Sequence, residues 1–591
     1  MAIIAIMAIM AINMNLYLFP MKKDELRRIL RGALMDTAPE THAFHSLLAG
    51  IGGGVSGYII YALKILKPSY GEIFFPLAFF LFFYLLFAFS PLIKMKSRQS
   101  KIDMKLPHAI TYMQSLSSSM PLFEVFRSVF QEKDLYEEVS EEFGFVVRDV
   151  ELFGEDIVTA MRNLACSTPS QNLRELLDGL IIVFESGGDL RNYFSSKSSH
   201  FRERAIKQLE VNLKTLEILA EVFVVVFVAM PIFLIIMISS MELVGKTAGY
   251  EFFLYLYFFI PIGSMALIYI LDQINIKEDL GITRVERKRR SYPTSIISRK
   301  SVSLDPKKLE KRKLIEIAYK PFKSVKTNYY NAIYFSLIAL LVFVLVYQAN
   351  VIPLKFHESI IPLSTIAFCI PLLVAFEYRA RYVRRVEKEI PELLRQFLNL
   401  EEVGLTMQSI ISIIKESKIG VLSRELKIID ADLGWGATIL DALVEFINRV
   451  GISSIRRAIS LIIRASEMTE DLRDILLISI EDFEHGLKMK GDRFASGFAY
   501  LVIVYVSFFT FMYTVYSMNS SFLVSLKKLN VPLNFAESLT LMYRTSLFLA
   551  LFSGIIAGQM EKGNILHGLK HICIFMLASF FLFEYILGGA V

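Results

Sequence analysis

Long apolar blocks alternate with charged segments along the chain of 591 residues. Each block is about 20 residues long, which is close to the length that a helix needs to cross a hydrocarbon core of about 30 Å. The pattern therefore predicts an all-α, polytopic membrane protein. The nine predicted membrane-spanning helices lie at residues 43–66, 71–93, 218–243, 250–271, 331–349, 359–377, 498–518, 540–559 and 568–588.

Lysine and arginine residues predict the orientation of these helices. The segments on one side are rich in both residues, whereas each loop on the other side contains one or two lysines. Because basic segments are retained in the cytoplasm, we expect the basic side to be cytoplasmic and the C terminus to lie outside the cell membrane. The predicted cytoplasmic segments are 21–42, 94–217, 272–330 and 378–497.

The order of segments repeats once along the chain. Two spans, a large cytoplasmic block and two further spans are followed by the same series, and matching positions lie 282 to 284 residues apart. Such a duplication indicates two related domains. The matched stretches are Leu106-Pro107 with Ile390-Pro391, the heptapeptides that begin at Gly154 and Gly436, and Asp189-Leu190-Arg191 with Asp471-Leu472-Arg473.

The predicted spans, the cytoplasmic blocks and the internal repeat together predict the domain organisation. Residues 1–20 are apolar and repetitive without a basic region before them, so they do not resemble a signal peptide, and Met21 is an alternative start of translation. The predicted order is a lead-in at 1–42, a helix pair at 43–93, a first helical domain at 94–217, a helix pair at 218–271, a basic linker at 272–330, a helix pair at 331–377, a second helical domain at 378–497 and three helices at 498–588.

Each cytoplasmic block has the apolar spacing of amphipathic helices. Apolar residues recur at intervals of three and four, which places them on one face of a helix. A block of about 120 residues is long enough to form a small antiparallel bundle with its own core. The apolar positions are Leu173, Leu176, Leu177, Leu180, Ile181 and Phe184 in the first block, and Ile439, Leu440, Leu443, Phe446, Ile447 and Val450 in the second.

Two stretches of the first block have the pattern of a known family. They are the turn Met120-Pro121-Leu122-Phe123 and the stretch Glu185-Ser186-Gly187-Gly188-Asp189-Leu190. With these stretches the first block resembles the type II secretion system F domain family. The second block departs from this pattern, because the matching stretch Glu467-Met468-Thr469-Glu470-Asp471-Leu472 contains no glycine. Two copies, each with its own preceding helix pair, are similar to the archaeal platform proteins of archaella and pili, and to a fusion of two Tad-type pilus platform proteins.

This resemblance implies a non-catalytic platform in the cytoplasmic membrane. It implies that a cytoplasmic hexameric ATPase docks on the domains, that its motion helps extract and stack pilin-like or archaellin subunits, and that the platform is a homodimer. A polytopic transporter and a membrane scaffold without a motor are the alternatives. The predicted centres of the spans contain few ionisable groups, although substrate pathways usually contain them.

Charged residues in the two blocks are candidates for docking a motor. The run from Glu132 to Glu142 holds six acids and one lysine. It is either a solvated helix face or a surface that steers a basic partner. The matched charges of the two repeats are either local caps and ion pairs or a second docking surface. The candidate residues are Glu132, Asp134, Glu137, Glu138, Glu141, Glu142, Glu185, Asp189, Arg191, Glu467, Asp471 and Arg473.

Net charge and the basic linker bear on other partners. A net charge of +6 in a chain with 21% charged residues offers no bulk electrostatic basis for binding nucleic acid. Clustered lysine and arginine beside a membrane attract anionic lipids. We therefore expect linker 272–330 to contact anionic lipids, or alternatively the ATPase, and we expect no nucleic-acid partner.

No catalytic, cofactor or metal site is predicted. Gly245-Lys246-Thr247 lacks the upstream glycine of a phosphate-binding loop, because position 240 is serine. His567 and His571 lack a third ligand nearby and are predicted to be surface or interfacial residues. The three cysteines are predicted to be ordinary buried thiols. Arg544 and Glu584 lie at similar depths in adjacent antiparallel spans, which makes them candidates for an intramembrane ion pair; the alternatives are that each side chain extends independently to the membrane surface, or that they form a functional polar site.

Overall fold

The described part of the chain is helical throughout. The computed structural model describes residues 23–62, 71–117, 120–243, 260–275, 329–349, 357–417, 420–468, 473–523 and 535–587, and no strand occurs among them. The chain divides into two compact units, Met1–Glu203 and Arg204–Val591. The prediction of an all-α, polytopic membrane protein is confirmed.

Six described helices are long and apolar enough to cross a membrane. They coincide with six of the nine predicted spans. The spans predicted at 250–271 and 331–349 coincide with the shorter apolar helices Ile260–Asp272 and Ala332–Gln348, and the span predicted at 43–66 coincides with helix Pro39–Ala62. The number nine therefore stays a prediction. The six helices are Phe79–Leu116, Leu190–Met237, Ile360–Glu401, Arg473–Ser520, Leu539–Lys562 and Ile565–Leu587.

The first unit contains an amphipathic helix, a helix pair and a bundle. The apolar spacing predicted for the bundle is confirmed at Leu173, Leu176, Leu177 and Leu180, which are fully buried, whereas Phe184 of the same predicted face is 38% exposed. The helices are α1 (Lys23–Gly32), α2 (Pro39–Ala62), α3 (Gly71–Leu116), α4 (Leu122–Gln131), α5 (Lys133–Tyr136), α6 (Glu138–Phe153), α7 (Ile157–Ser167), α8 (Gln171–Glu185) and the start of α9 (Leu190–Phe223).

Short polar residues define where the bundle helices begin. Asp156 Oδ2 accepts a hydrogen bond from the backbone N–H of Val158 at 3.1 Å, and Ser170 Oγ accepts one from Leu173 at 3.0 Å. Such N-caps satisfy backbone donors that have no partner inside the helix, and each contributes about 1 kcal/mol.

The second unit contains the remaining helices. A π-helix, Val224–Ala229, follows α9. The helices are α10 (Met230–Leu243), α11 (Ile260–Ile274), α12 (Ala332–Gln348), α13 (Ile360–Glu401), α14 (Met407–Ile414), α15 (Leu422–Gly434), α16 (Ile439–Val450), α17 (Ser453–Met468), α18 (Arg473–Ser517), α19 (Phe535–Lys562) and α20 (Gly568–Phe581).

One apolar core runs through the second unit without a break. It includes Phe446 and Ile447 of the helical domain and Phe508, Phe575 and Ile572 of the spanning helices. Phe508 and Phe575 stack with ring centroids 4.3 Å apart. The helical domain and the spans beside it therefore share one close-packed interior.

Three helices are about twice as long as a membrane crossing requires. Helices α3, α13 and α18 contain 46, 42 and 45 residues, which corresponds to about 60–70 Å at about 1.5 Å per residue. Pro107 and Pro391 lie inside α3 and α13 rather than at a helix start. Each helical domain is therefore joined to a span by an unbroken helix.

Candidate functional site

The acidic run of the first domain folds back onto lysines of α3. Glu138 lies 2.7 Å from Lys101 Nζ, and Glu137 lies 3.2 Å from Lys105 Nζ. Glu141 is exposed, and Glu132 is half-buried at the end of α4. An exposed ion pair contributes at most about 1 kcal/mol to stability, so the contact of Glu137 with Lys105 does not prevent a partner from binding Glu137. Glu141 is accessible to a partner because its side chain is exposed.

Glu142 does not belong to an exposed docking surface. Its side chain is 1% exposed, and its carboxylate lies 2.7 Å from Arg98 Nη2. Burial raises the pKa of the Glu142 carboxyl, although Arg98 and a hydrogen bond with Thr168 oppose that shift. The prediction that Glu142 takes part in docking is wrong, because helix α6 turns this side chain towards α3 and into the bundle.

Removing one partner of this buried pair should destabilise the first domain. We expect Glu142→Gln to lower the free energy of unfolding by about 2–4 kcal/mol, because Arg98 then keeps a buried charge without its counter-charge. The double variant Glu142→Gln/Arg98→Met should recover most of the loss. Thermal unfolding of the detergent-solubilised protein, followed by circular dichroism, measures both. The control Glu141→Gln should change stability by less than about 0.5 kcal/mol. Equal effects of Glu141→Gln and Glu142→Gln would contradict the buried pair.

The glycine-containing turn of the first domain is a local capping structure. Asp189 Oδ1 accepts hydrogen bonds from the backbone N–H groups of Arg191 at 2.9 Å and Asn192 at 3.3 Å. Glu185 forms an exposed ion pair with Arg162 at 3.0 Å. Arg191 is half-buried in the first turn of α9. Asp189 therefore begins α9, and a docking role for these residues stays a prediction.

The matching region of the second domain is described in part. Arg473 Nε lies 3.1 Å from Glu402 Oε1 in an exposed ion pair at the start of α18. Glu467 lies in α17, whereas Asp471 lies outside the described residues. The side chains of Glu467 and Asp134 also lie outside the described part, so their docking roles stay predictions.

Arg544 and Glu584 each contact a residue at the start of α13. Arg544 Nη2 lies 2.9 Å from Glu358 Oε1, and Ser359 Oγ donates a hydrogen bond of 2.6 Å to Glu584 Oε2. Ser359 also lies 3.1 Å from the hydroxyl of Tyr543. The ion pair between Arg544 and Glu584 stays a prediction, and the neighbouring residues Glu358 and Ser359 are the partners that the sequence did not suggest.

A buried arginine joins three helices where the second domain meets the spans. Arg493 of α18 donates to Asn275 Oδ1 at 2.5 Å, to the carbonyl of Glu561 at 3.1 Å and to the carbonyl of Gln559 at 3.2 Å. Asn275 Nδ2 in turn donates to the Gln559 carbonyl at 3.1 Å. The planar guanidinium suits such a junction because its donors have a fixed geometry.

A second set of polar contacts lies next to this arginine. Glu561 lies 2.6 Å from Lys570 Nζ and 3.1 Å from His571 Nε2, and the hydroxyl of Tyr505 lies 2.7 Å from His571 Nδ1. His567 is also buried and packs edge-on against Phe376. The prediction of surface histidines is wrong, because the α19–α20 connection folds both side chains into the helix packing. Their location at the membrane interface stays a prediction.

The polar network was missed because its members are far apart in the chain. The sequence signal was weak: Arg493, Glu561 and Lys570 each flank an apolar block, as loop residues commonly do. The cysteine prediction is wrong for Cys166, which is exposed, whereas Cys369 is buried and Cys573 is half-buried. Among the described residues, no group of three histidine, cysteine or acidic side chains could hold a metal ion.

Comparison with known families identifies the repeated domains. Residues 112–238 and 393–518 both match the family model for protein F of the type II secretion system. Each repeat therefore contains a region that is similar to protein F of the type II secretion system, and we call these two regions the F domains. The matches extend from each F domain into the span that follows it, so the predicted domain boundaries at 94–217 and 378–497 stay predictions.

A protein of similar length matches most of the chain. The uncharacterized protein MJ1286 of Methanocaldococcus jannaschii is 24% identical over 514 residues, covering 84% of this chain and 82% of that protein. No solved structure matches the chain. Proteins with F domains are non-enzymatic components of the membrane platforms of secretion and pilus systems, and they are located in the cytoplasmic membrane.

Proposed function

We propose that this protein is the membrane platform of a type IV pilus-like, archaellum or type II secretion-type assembly machine. In this role a cytoplasmic hexameric ATPase docks on the F domains, and the platform passes its motion to pilin-like or archaellin subunits during extraction and filament assembly. The observation that carries the proposal is the duplicated F domain, each copy joined to a span by an unbroken helix.

The long helices support a mechanical role. A helix of about 60–70 Å is stiff on this length scale, so a displacement at its domain end tilts or rotates its membrane end. In the second unit, α13 and α18 make this connection, and Arg493 ties α18 to the ends of α11 and α19. The domain can therefore move the spans without an intervening flexible joint.

The proposed orientation places both F domains in the cytoplasm and the C terminus outside. It is supported by the lysine and arginine residues of 21–42 and 272–330. We also propose that linker 272–330 contacts anionic lipids, that the platform is a homodimer, and that it carries out no catalysis itself.

ATPase binding tests the proposed function. The full chain in lipid nanodiscs is titrated with the hexameric secretion ATPase of the same cell at two salt concentrations, and binding and ATP turnover are measured. We expect saturable binding that weakens at the higher salt concentration, because complementary charges attract less strongly when screened. We also expect a change in turnover.

Charge reversal distinguishes specific docking from general attraction. Glu137→Lys and Glu141→Lys should weaken binding more than Glu445→Lys, which reverses an exposed acid of the second F domain outside the candidate residues. Absence of binding at both salt concentrations, with the secondary structure intact, would overturn the platform proposal.

A further inference from the structure

The two F domains expose large apolar side chains at the same turn. Phe153 and Trp435 occupy matching positions, 282 residues apart, and each precedes the glycine that matches in the two repeats. Phe153 is 66% exposed, its neighbour Leu152 is 74% exposed, and Trp435 is 91% exposed. Trp435 is the only tryptophan of the chain. The guanidinium of Arg148 lies 5.6 Å from the centre of the Phe153 ring, yet most of the Phe153 side chain remains exposed to solvent.

The backbone holds both side chains outward. Gly154 and Gly436 have φ angles of +68° and +88°, a conformation that favours glycine. The next helix begins almost at once in both domains, capped by Asp156 in the first and by Thr438, which accepts from the Asp441 N–H at 3.1 Å, in the second. The chain changes direction directly after each ring, and both rings remain outside the apolar core of their own domain.

Leaving these large apolar side chains in water is unfavourable in free energy unless a partner covers them. Burial of a large apolar side chain contributes about 1.5–3 kcal/mol, and a polar residue would suit the turn equally well. Tryptophan and other aromatic residues dominate the binding energy of protein interfaces when they enter a pocket. The two exposed residues therefore have the properties of interface anchors.

Charges beside the turns indicate the chemistry of the partner. Residues 148–156 contain four acids and one arginine, and residues 430–441 contain three acids and no basic residue. Asp430 and Asp432 are partly exposed although they pair with Lys415 and Arg449. An anionic lipid surface would be repelled by such a rim, whereas a protein pocket bordered by lysine or arginine would be attracted.

We propose that Phe153 and Trp435 are two equivalent anchors that insert into apolar pockets with basic rims on the docking ATPase. The inference rests on the proposed function. The duplication supports this partner, because a hexamer presents the same pocket repeatedly and can engage two equivalent anchors of one chain. Engaging both anchors at once strengthens binding beyond either alone.

Selective labelling of Trp435 tests the proposal directly. The platform alone is labelled with 5-fluorotryptophan, so that it carries one fluorine signal, and the nanodisc-embedded protein is titrated with unlabelled ATPase. We expect the signal to shift and to lose its sensitivity to a soluble paramagnetic quencher. We also expect Trp435→Ala and Phe153→Ala each to weaken binding at least about tenfold, and the double variant more.

Matched controls make the result specific. Val403 is 75% exposed and also precedes a glycine with positive φ in the second F domain, and Ile182 is 68% exposed in the first. Val403→Ala and Ile182→Ala should leave binding unchanged.

Three outcomes would contradict a proposal. If the wild type binds the ATPase but the fluorine signal does not shift and the double variant binds equally well, the anchors are overturned and the proposed function stays intact. No binding of the wild type would instead overturn the proposed function. Self-association of the platform that depends on Trp435 without ATPase would also overturn the anchors.

Discussion

Gly558→Ala is expected to separate helices α19 and α20 and to lower the free energy of unfolding by more than about 3 kcal/mol. A Cβ atom at Gly558 would overlap the backbone N of Gly568, and one at Gly554 would lie 2.6 Å from the backbone N of Ile572. Backbone atoms in two packed helices cannot yield as a flexible side chain can, so overpacking here costs more than in an ordinary core. Small residues four apart permit such close approach of membrane helices.

Gly491→Ala is the matched control for this experiment. Gly491 also lies inside a long helix, α18, but an added Cβ there meets no heavy atom within 4 Å. Because alanine is the better helix former, we expect it to be neutral or to stabilise the protein by up to about 1 kcal/mol. Thermal unfolding and limited proteolysis of the detergent-solubilised variants measure the difference. Equal stability of the two variants would show that α19 and α20 do not approach this closely.

Arg493→Ala is expected to destabilise the second unit by about 3 kcal/mol or more. The substitution leaves the Asn275 side-chain oxygen and the carbonyls of Gln559 and Glu561 without the guanidinium donors that they use. Loss of a buried charged donor costs more than the bonds it formed, because the remaining polar groups stay out of water. Thermal unfolding in detergent measures the loss.

Two further variants separate charge from geometry at Arg493. Arg493→Lys keeps the charge but cannot reproduce the planar arrangement of donors, so we expect it to recover only part of the stability. Lys488→Ala, at an exposed position of the same helix, should change stability by less than about 0.5 kcal/mol. An Arg493→Ala variant as stable as Lys488→Ala would show that the network does not hold α18 to the spans.

Periodic features of the sequence predicted the fold well. Six apolar blocks became helices long enough to cross a membrane, and the residues around Leu176 and Leu180 became a buried face, because burial of a helix follows directly from residue spacing. The repeat at an offset of 282 residues predicted the two F domains. The short capping residue Asp189 was also correctly considered as a local cap, since its partners lie within three residues.

The sequence did not predict which distant residues the charged side chains contact. Glu142 lies in a run of acids and was grouped with its neighbours, yet one helix face turns it towards Arg98 and away from solvent. Arg544 has Glu358 as a partner 186 residues away. A position along the chain shows which residues are polar, but the pairing of distant polar residues depends on which helices pack together.

The sequence by itself determined the class of this protein, its duplication and its F-domain resemblance, because hydrophobic length, helical period and repeated motifs are local properties of a chain. Only the tertiary structure decided which charges are buried and which aromatic residues remain outside. His571 is buried and contacts Glu561 and Tyr505, although it is a polar residue. Trp435 is a large apolar residue, yet its side chain is exposed to solvent. The physical reason is that burial depends on the neighbours supplied by distant helices, and those neighbours exist only once the helices have packed.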